Sequence, residues 1–362
     1  MAKKLAFDRV LFGVVVTLVG LGLVMVYSAS APMAHARGAV INPFLVRQGI
    51  AALVGFAAMF AVMHVDYRWL KKPQVVYTLL AGVVVLLVAV LFAPELNATR
   101  RWLFIAGVSV QPAELAKLAL VPFLAYQIDR KRDRVNSREL LVPIAVASAL
   151  LAGLIVLQPD LGSAVLLVAT AGTLLFLAGL SWRWLAIGAG ILAPLGALLI
   201  YLEPYRRARL FAFLDPEKDP LGSGFQALQS LIAIGSGGVT GLGPGESVQK
   251  LYFLPYPHSD FIFAIVAEEL GMIGAIGVLL LFGLLIWRGA RAGMRAPDPF
   301  GRFLGWGFMA VIGLQALINL SVALALLPTK GIPLPFLSYG GSSMVVSLTA
   351  CGVMLNVSQH GG

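Results

Sequence analysis

The sequence has few charged residues and almost no cysteine. Only 12% of its 362 residues are charged and 59% are hydrophobic, a balance that excludes an ordinary soluble domain. The single cysteine, Cys351, excludes an intramolecular disulfide, and its apolar surroundings indicate a buried structural thiol. The net charge is +10, but in so apolar a chain this sum does not indicate nucleic-acid binding. The distribution of the charges along the chain is more informative.

A glycine-rich segment, residues 235–245, also lacks the features of a nucleotide-binding loop. It reads GSGGVTGLGPG and has no Gly-Lys-Ser/Thr ending at the start of a helix. Nucleotide binding is therefore excluded. We interpret these glycines as tight turns over the membrane surface.

The sequence does contain a series of long apolar runs. Ten of them approach the length of a membrane-spanning helix, about 17 to 25 residues. Their approximate limits are 8–29, 44–64, 74–93, 112–128, 139–157, 161–180, 183–201, 260–287, 302–326 and 340–358. The first run resembles a signal peptide, but its length and the later runs favour an uncleaved span. The sequence thus predicts an all-α polytopic integral membrane protein with about ten transmembrane helices, forming one transmembrane domain over residues 1–362.

The lysines and arginines between the runs predict the orientation. An even number of spans puts both termini on one side of the membrane, and that side carries 16 basic residues against 10 on the other. Five of those 10 lie in a single long loop, where the positive-inside rule is weak. We therefore predict that both termini are cytoplasmic.

The long connection, residues 202–259, is predicted to be the fourth extracytoplasmic loop. Loops of this length are functional or disordered, and this one is too rich in aromatic and aliphatic residues for disorder. Residues 228–234 have the pattern of a short amphipathic helix. Arg206, Arg207 and Arg209 open the loop beside the lipid headgroups, where they either anchor the chain or hold the phosphates of a ligand.

Asp260 stands at the mouth of the eighth span, directly before the apolar stretch 261–266. A charge inside hydrocarbon costs roughly 2.5–3.5 kcal/mol on insertion scales, so an ionisable group here is a candidate functional residue. The start of a helix favours the carboxylate anion, whereas apolar neighbours disfavour it. Glu268 and Glu269 follow in the same span, and at least one of them is expected to pair within the bundle.

Other polar residues lie at the outer mouths of helices. Glu114 and Lys117 share a face of the fourth span, so they form either a structural ion pair or the charged wall of a polar cavity. Arg100 and Arg101, in the preceding loop, add cations at the same level. Asp160 opens the sixth span, where a role as N-cap would by itself explain a carboxylate.

The connection between the ninth and tenth spans, residues 327–343, is apolar but is broken by three prolines and three glycines. Non-helical backbone at membrane depth is tolerated only where it is buried in protein or lines a wet cavity. We therefore predict a re-entrant or packed loop over a cavity.

Several motifs, in this order, resemble those of the SEDS family, the polytopic proteins of shape, elongation, division and sporulation, and most of all its RodA branch. They are QPAELAK at 111–117, QPDLG at 158–162, HSDFIFA at 258–264 leading to EELG at 268–271, and PTKGIPLP at 328–335, which follows Asn319 and ends in SYGGSS at 338–343. The resemblance covers essentially the whole chain.

The resemblance implies polymerisation of lipid II into peptidoglycan strands at the outer face of the bacterial cytoplasmic membrane, during cell elongation. The essential aspartate of the family matches Asp260, which would act as general base on the attacking sugar hydroxyl. A single displacement of undecaprenyl diphosphate would invert the anomeric carbon, and this leaving group needs charge neutralisation more than protonation. A class B penicillin-binding protein would crosslink the product, and other proteins of the elongation machinery are potential partners.

The cations at the outer mouths and the polar residues of the motifs form the predicted substrate-binding set. Its members are Arg100, Arg101, Glu114, Lys117, Asp160, Arg206, Arg207, Arg209, His258, Ser259, Lys330, Ser338 and Ser342. No cofactor is expected to be obligatory, although Mg²⁺ or Mn²⁺ could assist at the diphosphate.

Two other functions stay open on the sequence. A flippase for a lipid-linked precursor would also need a charged cavity, but nearer the midplane and without Asp260 at the outer mouth. A non-enzymatic scaffold for a penicillin-binding protein would need neither feature.

The sequence also departs from the family pattern at Ala325, Thr240 and Leu242. In addition, Tyr256 stands where the family commonly has a glutamate. Asp260 is therefore expected to work without a second acid in its own loop.

Overall fold

The computed structural model describes residues 7–36, 38–95, 99–105, 108–215 and 224–361. Lys3, Lys4, Arg37 and Lys218, which contribute to the predicted orientation, lie outside these ranges.

The described residues form twelve α-helices, of which ten coincide with the ten predicted spans. In chain order the helices are α1 (Arg9–Ala36), α2 (Pro43–His64), α3 (Pro73–Ala89), α4 (Pro112–Arg130), α5 (Arg138–Val156), α6 (Leu161–Leu177), α7 (Trp182–Tyr201), α8 (Pro204–Leu214), α9 (Phe225–Ser236), α10 (Ile262–Met294), α11 (Pro299–Ala323) and α12 (Gly341–Ser358). Only α8 and α9 lie outside the predicted spans, since both belong to the long connection 202–259.

Eight of the helices in the described ranges are long and apolar enough to cross a membrane, with α3 counted together with the 3₁₀ turn Val90–Phe92 that continues it. Of the other two predicted spans, α6 is apolar but has only 17 residues, and α4 has 19 residues but includes charged side chains such as Glu114 and Lys117. The predicted all-helical, multi-pass membrane architecture is confirmed.

The interior of the bundle is formed chiefly by α4, α11 and α12, in each of which more than half of the residues are buried. Glycines allow close approach here, as is usual for membrane helices. At Gly55 of α2, for example, an added Cβ would lie 3.3 Å from the Cα of Val345 in α12. By contrast, α7 has no buried residue and packs mainly against α8, so most of its surface is available to lipid.

The described residues of the long connection 202–259 contain more regular structure than its sequence indicates. The predicted short helix is present as α9, which is longer than expected and packs against α10 and α11. The Ser230 hydroxyl of α9 donates to the Ala323 carbonyl oxygen at the end of α11 (2.7 Å). This bond ties the segment to the bundle rather than leaving it as a free loop.

A short antiparallel strand pair precedes α4, where the sequence analysis predicted no strand. β1 (Leu103–Ile105) pairs with β2 (Val108–Val110), and Leu103 lies opposite Val110. Strands of three residues are too short for an alternating pattern to be recognised. The Gln111 N–H, directly after β2, donates to Ser342 Oγ (3.1 Å), which links this loop to the start of α12.

The glycine-rich segment forms the predicted tight turns, with positive φ at Gly238, Gly241, Gly243 and Gly245, and these turns dock on α10. α10 is interrupted at Gly271, whose φ is 64°. Beside this break, the Leu242 and Gly243 N–H groups donate to the carbonyl oxygens of Glu268 and Glu269 (3.0 and 3.1 Å). The segment thereby satisfies backbone groups that an unbroken helix would have paired internally, which is the condition for irregular backbone inside a bundle.

Replacing Gly271 by alanine is expected to lower the melting temperature of the detergent-solubilised protein. A Cβ at this position would lie 2.3 Å from the Gly241 nitrogen, and a non-glycine residue in this conformation costs about 1–3 kcal/mol before that clash is counted. Gly277→Ala is the matched control in the same helix, because its Cβ would meet nothing within 4 Å. Equal melting temperatures for the two variants would contradict the requirement for glycine at the break.

Candidate active site

Asp260 lies in the turn before α10, at the end of the bundle opposite the two termini. Its carbonyl oxygen accepts a hydrogen bond from Asn319 Nδ2 (2.9 Å), and the same amide group donates to the Ile332 carbonyl oxygen (2.8 Å). The Ser259 side chain hydrogen-bonds to the Asp260 carboxylate, and the Ser259 carbonyl oxygen accepts a bond from Ser338 Oγ. Contacts from α11 and from the loop before α12 therefore fix the position of Asp260.

That loop, residues 324–340, is packed against the Asp260 turn as predicted. Leu334, Phe336 and Leu337 are buried although the backbone is not helical. The Tyr339 N–H donates to the His258 carbonyl oxygen (2.8 Å), and the two rings are in edge contact. Irregular backbone is tolerated here because protein groups satisfy it.

Two arginines from separate elements lie in the electrostatic field of Asp260. Arg209 of α8 donates to the Thr329 carbonyl oxygen (2.9 Å), and Arg101, just before β1, donates to the Gln158 carbonyl oxygen (3.0 Å). Both guanidinium groups are therefore held by neutral carbonyl oxygens. They keep positive charge that an anionic ligand can neutralise.

Burial raises the pKa of the Asp260 carboxyl to about 6. The Arg209 charge, the hydrogen bond from Ser259 and the Arg101 charge oppose this rise, whereas the Asp160 charge adds to it. A carboxyl group with this pKa is largely ionised at neutral pH and is still basic enough to accept a proton. Perturbation by burial together with specific charges is typical of functional carboxyl groups.

Lys330 shares three charged neighbours with Asp260, namely Arg101, Asp160 and Arg209. Burial, followed by the charges of Arg206 and Arg209, lowers the pKa of Lys330 to about 8; Arg101 acts in the same direction and Asp160 against it. A polyanion bound among these groups would favour the charged form of the lysine. The arrangement is therefore suited to a phosphate-bearing ligand.

The predicted N-cap role of Asp160 is confirmed. Its Oδ1 accepts from the Ser163 N–H (3.1 Å), and its Oδ2 accepts from Ser163 Oγ (2.8 Å) and Gln111 Nε2 (3.2 Å). These bonds hold the Asp160 carboxylate at the start of α6 and beside Gln111, the residue before α4.

Glu114 and Lys117 form an ion pair inside the protein. The Nζ–Oε2 distance is 2.6 Å, and each residue is only 2% exposed. Lys117 also donates to Gln315 Oε1 (2.7 Å), whose amide group donates to the Pro333 carbonyl oxygen (2.8 Å). Of the two alternatives, the burial favours the structural pair, which joins α4 to α11 and to the packed loop.

Glu269 and Glu268 hold residues 245–250, at and after the end of the glycine-rich segment, on α10. Glu269 pairs with Lys250 (2.8 Å) and accepts from Ser28 Oγ (2.6 Å), which confirms that at least one of the two glutamates pairs within the bundle. Glu268 accepts from the Val248 N–H (3.0 Å). Both carboxylates are thus committed to structural contacts.

Several residues of the predicted substrate-binding set take part in other contacts. Arg100 is exposed and pairs with Glu95 (3.0 Å), and the guanidinium of Arg207 lies over the Tyr201 ring (5.4 Å). The His258 ring packs against Phe44, with 4.8 Å between centroids. These contacts do not bring Arg100 or Arg207 to Asp260.

Two amide side chains that were not among the predicted site residues support the Asp260 turn and the packed loop. Asn319 holds the Asp260 turn, and Gln315 holds Lys117 and the packed loop. They are four residues apart on α11, and each is 1% exposed. A pair of polar residues with helical spacing inside an apolar span is a signal that would have identified this inward face.

Comparison with protein families and curated proteins gives a consistent result. A family model described as a cell cycle protein, covering FtsW, RodA and SpoVE, matches residues 8–361. The "Probable peptidoglycan glycosyltransferase FtsW" of Geobacter metallireducens is 43% identical over 357 residues, which are 97% of this chain and 94% of that protein. "Stage V sporulation protein E" of Bacillus subtilis is 41% identical over 363 residues, or 99% and 98% of the two chains.

Solved structures show the same relationship. A chain of a peptidoglycan synthase complex, described as coordinating polymerization and crosslinking, is 34% identical with a TM-score of 0.82, and the match covers 98% of both chains. RodA of Thermus thermophilus is 30% identical with a TM-score of 0.71, covering 98% of this chain and 97% of the other. The fold, the family match and the full-length relatives together show that this chain belongs to the SEDS family of FtsW, RodA and SpoVE proteins.

Proposed function

We propose that this protein is a peptidoglycan glycosyltransferase that polymerises lipid II, with Asp260 as the general base. The observation that carries the proposal is a carboxyl group of pKa about 6 among cations from separate elements, namely Arg101, Arg209 and Lys330. A base near cations suits a reaction that deprotonates a hydroxyl and expels a diphosphate. The names of the curated relatives support this reaction class.

The proposed reaction is a single displacement. Asp260 takes the proton of the acceptor sugar hydroxyl as its oxygen bonds to the anomeric carbon of the donor. The bond from that carbon to the diphosphate breaks at the same time, and undecaprenyl diphosphate leaves as an anion. Attack from the face opposite the leaving group inverts the α-linked donor to a β-glycosidic bond. Asp260 finally holds the proton.

The cations neutralise the charge that develops on the leaving diphosphate. Arg209 lies on α8, which follows α7 after a short turn, and the surface of α7 is open to lipid. A lipid substrate whose diphosphate contacts Arg209 and Arg101 can therefore keep its undecaprenyl tail in the bilayer. Fixed cations in a partly desolvated site stabilise developing negative charge more than water does.

The proposal also includes the orientation of the protein in the membrane and its partner protein. We place both termini in the cytoplasm and Asp260 at the outer face of the bacterial inner membrane, as the basic residues predict. A class B penicillin-binding protein is the proposed partner, supported by the likeness to a chain of a peptidoglycan synthase complex.

The elongation role inferred from the resemblance to RodA stays a prediction. The FtsW and SpoVE relatives described above are 43% and 41% identical, whereas the RodA structure is 30% identical. A fluorescent fusion in rod-shaped cells tests the role, because elongation requires signal along the side wall. Signal confined to the division site would contradict elongation.

Purified protein supplied with labelled lipid II separates the three candidate functions. A polymerase yields a ladder of glycan strands without any other glycosyltransferase present. A flippase in vesicles moves labelled lipid II between leaflets without forming polymer. A scaffold does neither, and it only alters the activity of an added penicillin-binding protein. The last two results would each contradict the proposal.

The polymerisation rate should show a bell-shaped dependence on pH. Because the pKa of Asp260 is raised to about 6, kcat/KM is expected to fall about tenfold per pH unit below pH 6, where the base is protonated. Above about pH 8, Lys330 loses its proton, and substrate binding should weaken. Arg209→Gln should move the acid limb to higher pH, since it removes the cation that most favours ionised Asp260. An acid limb near pH 4 would contradict the assignment.

A further inference from the structure

A cavity rich in arginine lies at the end of the bundle opposite Asp260, where α1 begins and α10 and α12 end. Its volume is about 330 Å³. Four arginines contribute to its lining: Arg9, Arg288, Arg291 and Arg295. Asp260 precedes the first turn of α10, whereas Arg288, Arg291 and Arg295 are in its last turns or at its end, roughly 40–50 Å farther along the helix. The polymerisation mechanism does not use this cavity.

Among the described lining residues, most of the positive charge has no counter-ion. Asp8 is the single carboxylate in the described lining, and its Oδ2 accepts hydrogen bonds from Arg288 Nη2 (2.6 Å) and Nε (2.7 Å). The other Asp8 oxygen caps the first turn of α1. Asp8 is therefore fully committed, and the charges of Arg9, Arg291 and Arg295 have no counter-ion in the described lining. Guanidinium groups arranged in this way favour a phosphate, which they can bind bidentately.

The cavity also lies at the level of the lipid headgroups. Trp287, the residue before Arg288, is 54% exposed, and the guanidinium groups of Arg288 and Arg291 lie 5.4 and 5.8 Å from its ring centroid. Exposed tryptophans at the ends of membrane helices mark the interface with water. Phe7 and Val10 add an apolar edge to the lining. A free phosphate needs no such edge, whereas the glycerol and acyl carbons of a lipid do.

We infer that this cavity binds the phosphate headgroup of an anionic phospholipid from the leaflet next to the termini. Its volume is within the range of about 300–1,000 Å³ that is usual for small-molecule sites, so a phosphoglycerol headgroup fits. Basic pockets between membrane helices are suited to such headgroups. The bound lipid bridges the start of α1 and the end of α10, which the Asp8–Arg288 pair already joins. This inference goes beyond the proposed polymerisation and does not depend on it.

Thermal unfolding of the delipidated protein in detergent tests the site. Dioctanoyl phosphatidylglycerol should raise the melting temperature at a concentration at least tenfold lower than dioctanoyl phosphatidylcholine, because only the former carries net negative charge. Inorganic phosphate should have no comparable effect. Arg291→Gln with Arg295→Gln should increase the half-saturating concentration of phosphatidylglycerol roughly thirtyfold, since each cation near a lipid surface contributes about a fivefold gain.

The matched control changes two arginines at the same end of the bundle but outside the described lining. Arg130→Gln with Arg132→Gln removes the same charge, and both side chains are exposed, so the half-saturating concentration should not change. Equal weakening in the two double variants, or no preference for phosphatidylglycerol, would overturn the inference. A full shift with inorganic phosphate would overturn the assignment to a lipid. If the cavity double variant does not fold, Arg295→Gln alone, at an exposed position, should still weaken binding about fivefold.

Discussion

Asp260→Asn is expected to reduce the rate of lipid II polymerisation by about 10²–10⁴-fold, the usual contribution of a positioned general base. Asparagine has nearly the shape of aspartate but cannot accept the proton of the acceptor hydroxyl at neutral pH. The backbone contact to Asn319 does not involve the Asp260 side chain, so the turn before α10 should keep its structure. Gel separation of glycan strands from labelled lipid II measures the loss, and the melting temperature checks the fold.

Glu95→Gln is the matched control for this variant. Glu95 lies in the connection between α3 and α4, where it is exposed and pairs with Arg100 rather than with groups around Asp260. Its amide variant should polymerise lipid II at close to the normal rate. Full activity of Asp260→Asn, with no other glycosyltransferase present, would show that Asp260 is not the base.

Lys117→Ala is expected to lower the free energy of unfolding by about 3–5 kcal/mol, because it leaves Glu114 as an uncompensated buried charge. The two side chains are almost completely excluded from solvent, and Lys117 also binds Gln315. A surface ion pair would contribute only about 0–1 kcal/mol. The melting temperature and the denaturant midpoint in detergent measure the difference.

A double variant separates stability from activity at this pair. Glu114→Leu with Lys117→Met removes both charges and should recover much of the lost stability, although Gln315 Oε1 then lacks its donor at a cost of about 1–3 kcal/mol. Recovery of stability and polymerisation together would mean that the pair is structural. Recovery of stability without recovery of polymerisation would mean that Lys117 contributes to substrate binding, as the sequence predicted. A single Lys117→Ala variant as stable as the parent would contradict the buried pair.

The spans illustrate what local sequence can predict. A run of apolar residues has to be helical in a bilayer, because its backbone groups have no other partner there. The ten predicted spans therefore match helices closely, for example 183–201 and α7 (Trp182–Tyr201). The ends of the spans were less accurate where polar residues continue a helix. α10 extends to Met294, past the predicted limit at 287, since its last turns carry arginines.

The glycine-rich segment illustrates where local sequence is insufficient. Its composition is equally compatible with surface turns and with close docking of backbone on backbone. The choice depends on Gly271, which is distant in the sequence and opens α10 to accept hydrogen bonds from Leu242 and Gly243. The short strand pair before α4 could not be predicted either, since three residues carry no usable period.

The candidate site likewise has one part that local sequence predicts and another that it does not. A lone carboxylate beside an apolar run is conspicuous by itself, so Asp260 was identifiable from composition and position. Adjacent arginines, however, look alike in the sequence. Only the fold directs Arg101 towards Asp260 while Arg100 pairs with Glu95.

The sequence by itself determined the ten-helix membrane architecture and singled out Asp260 as a candidate functional residue. The reason is that a bilayer penalises unpaired backbone groups and buried charges wherever they occur. Only the tertiary structure decided which cations accompany Asp260 and that Glu114 and Lys117 are interior. It also brought Arg9 together with the arginines at the end of α10. Those outcomes depend on distances between segments far apart in the chain, and no local pattern encodes such distances.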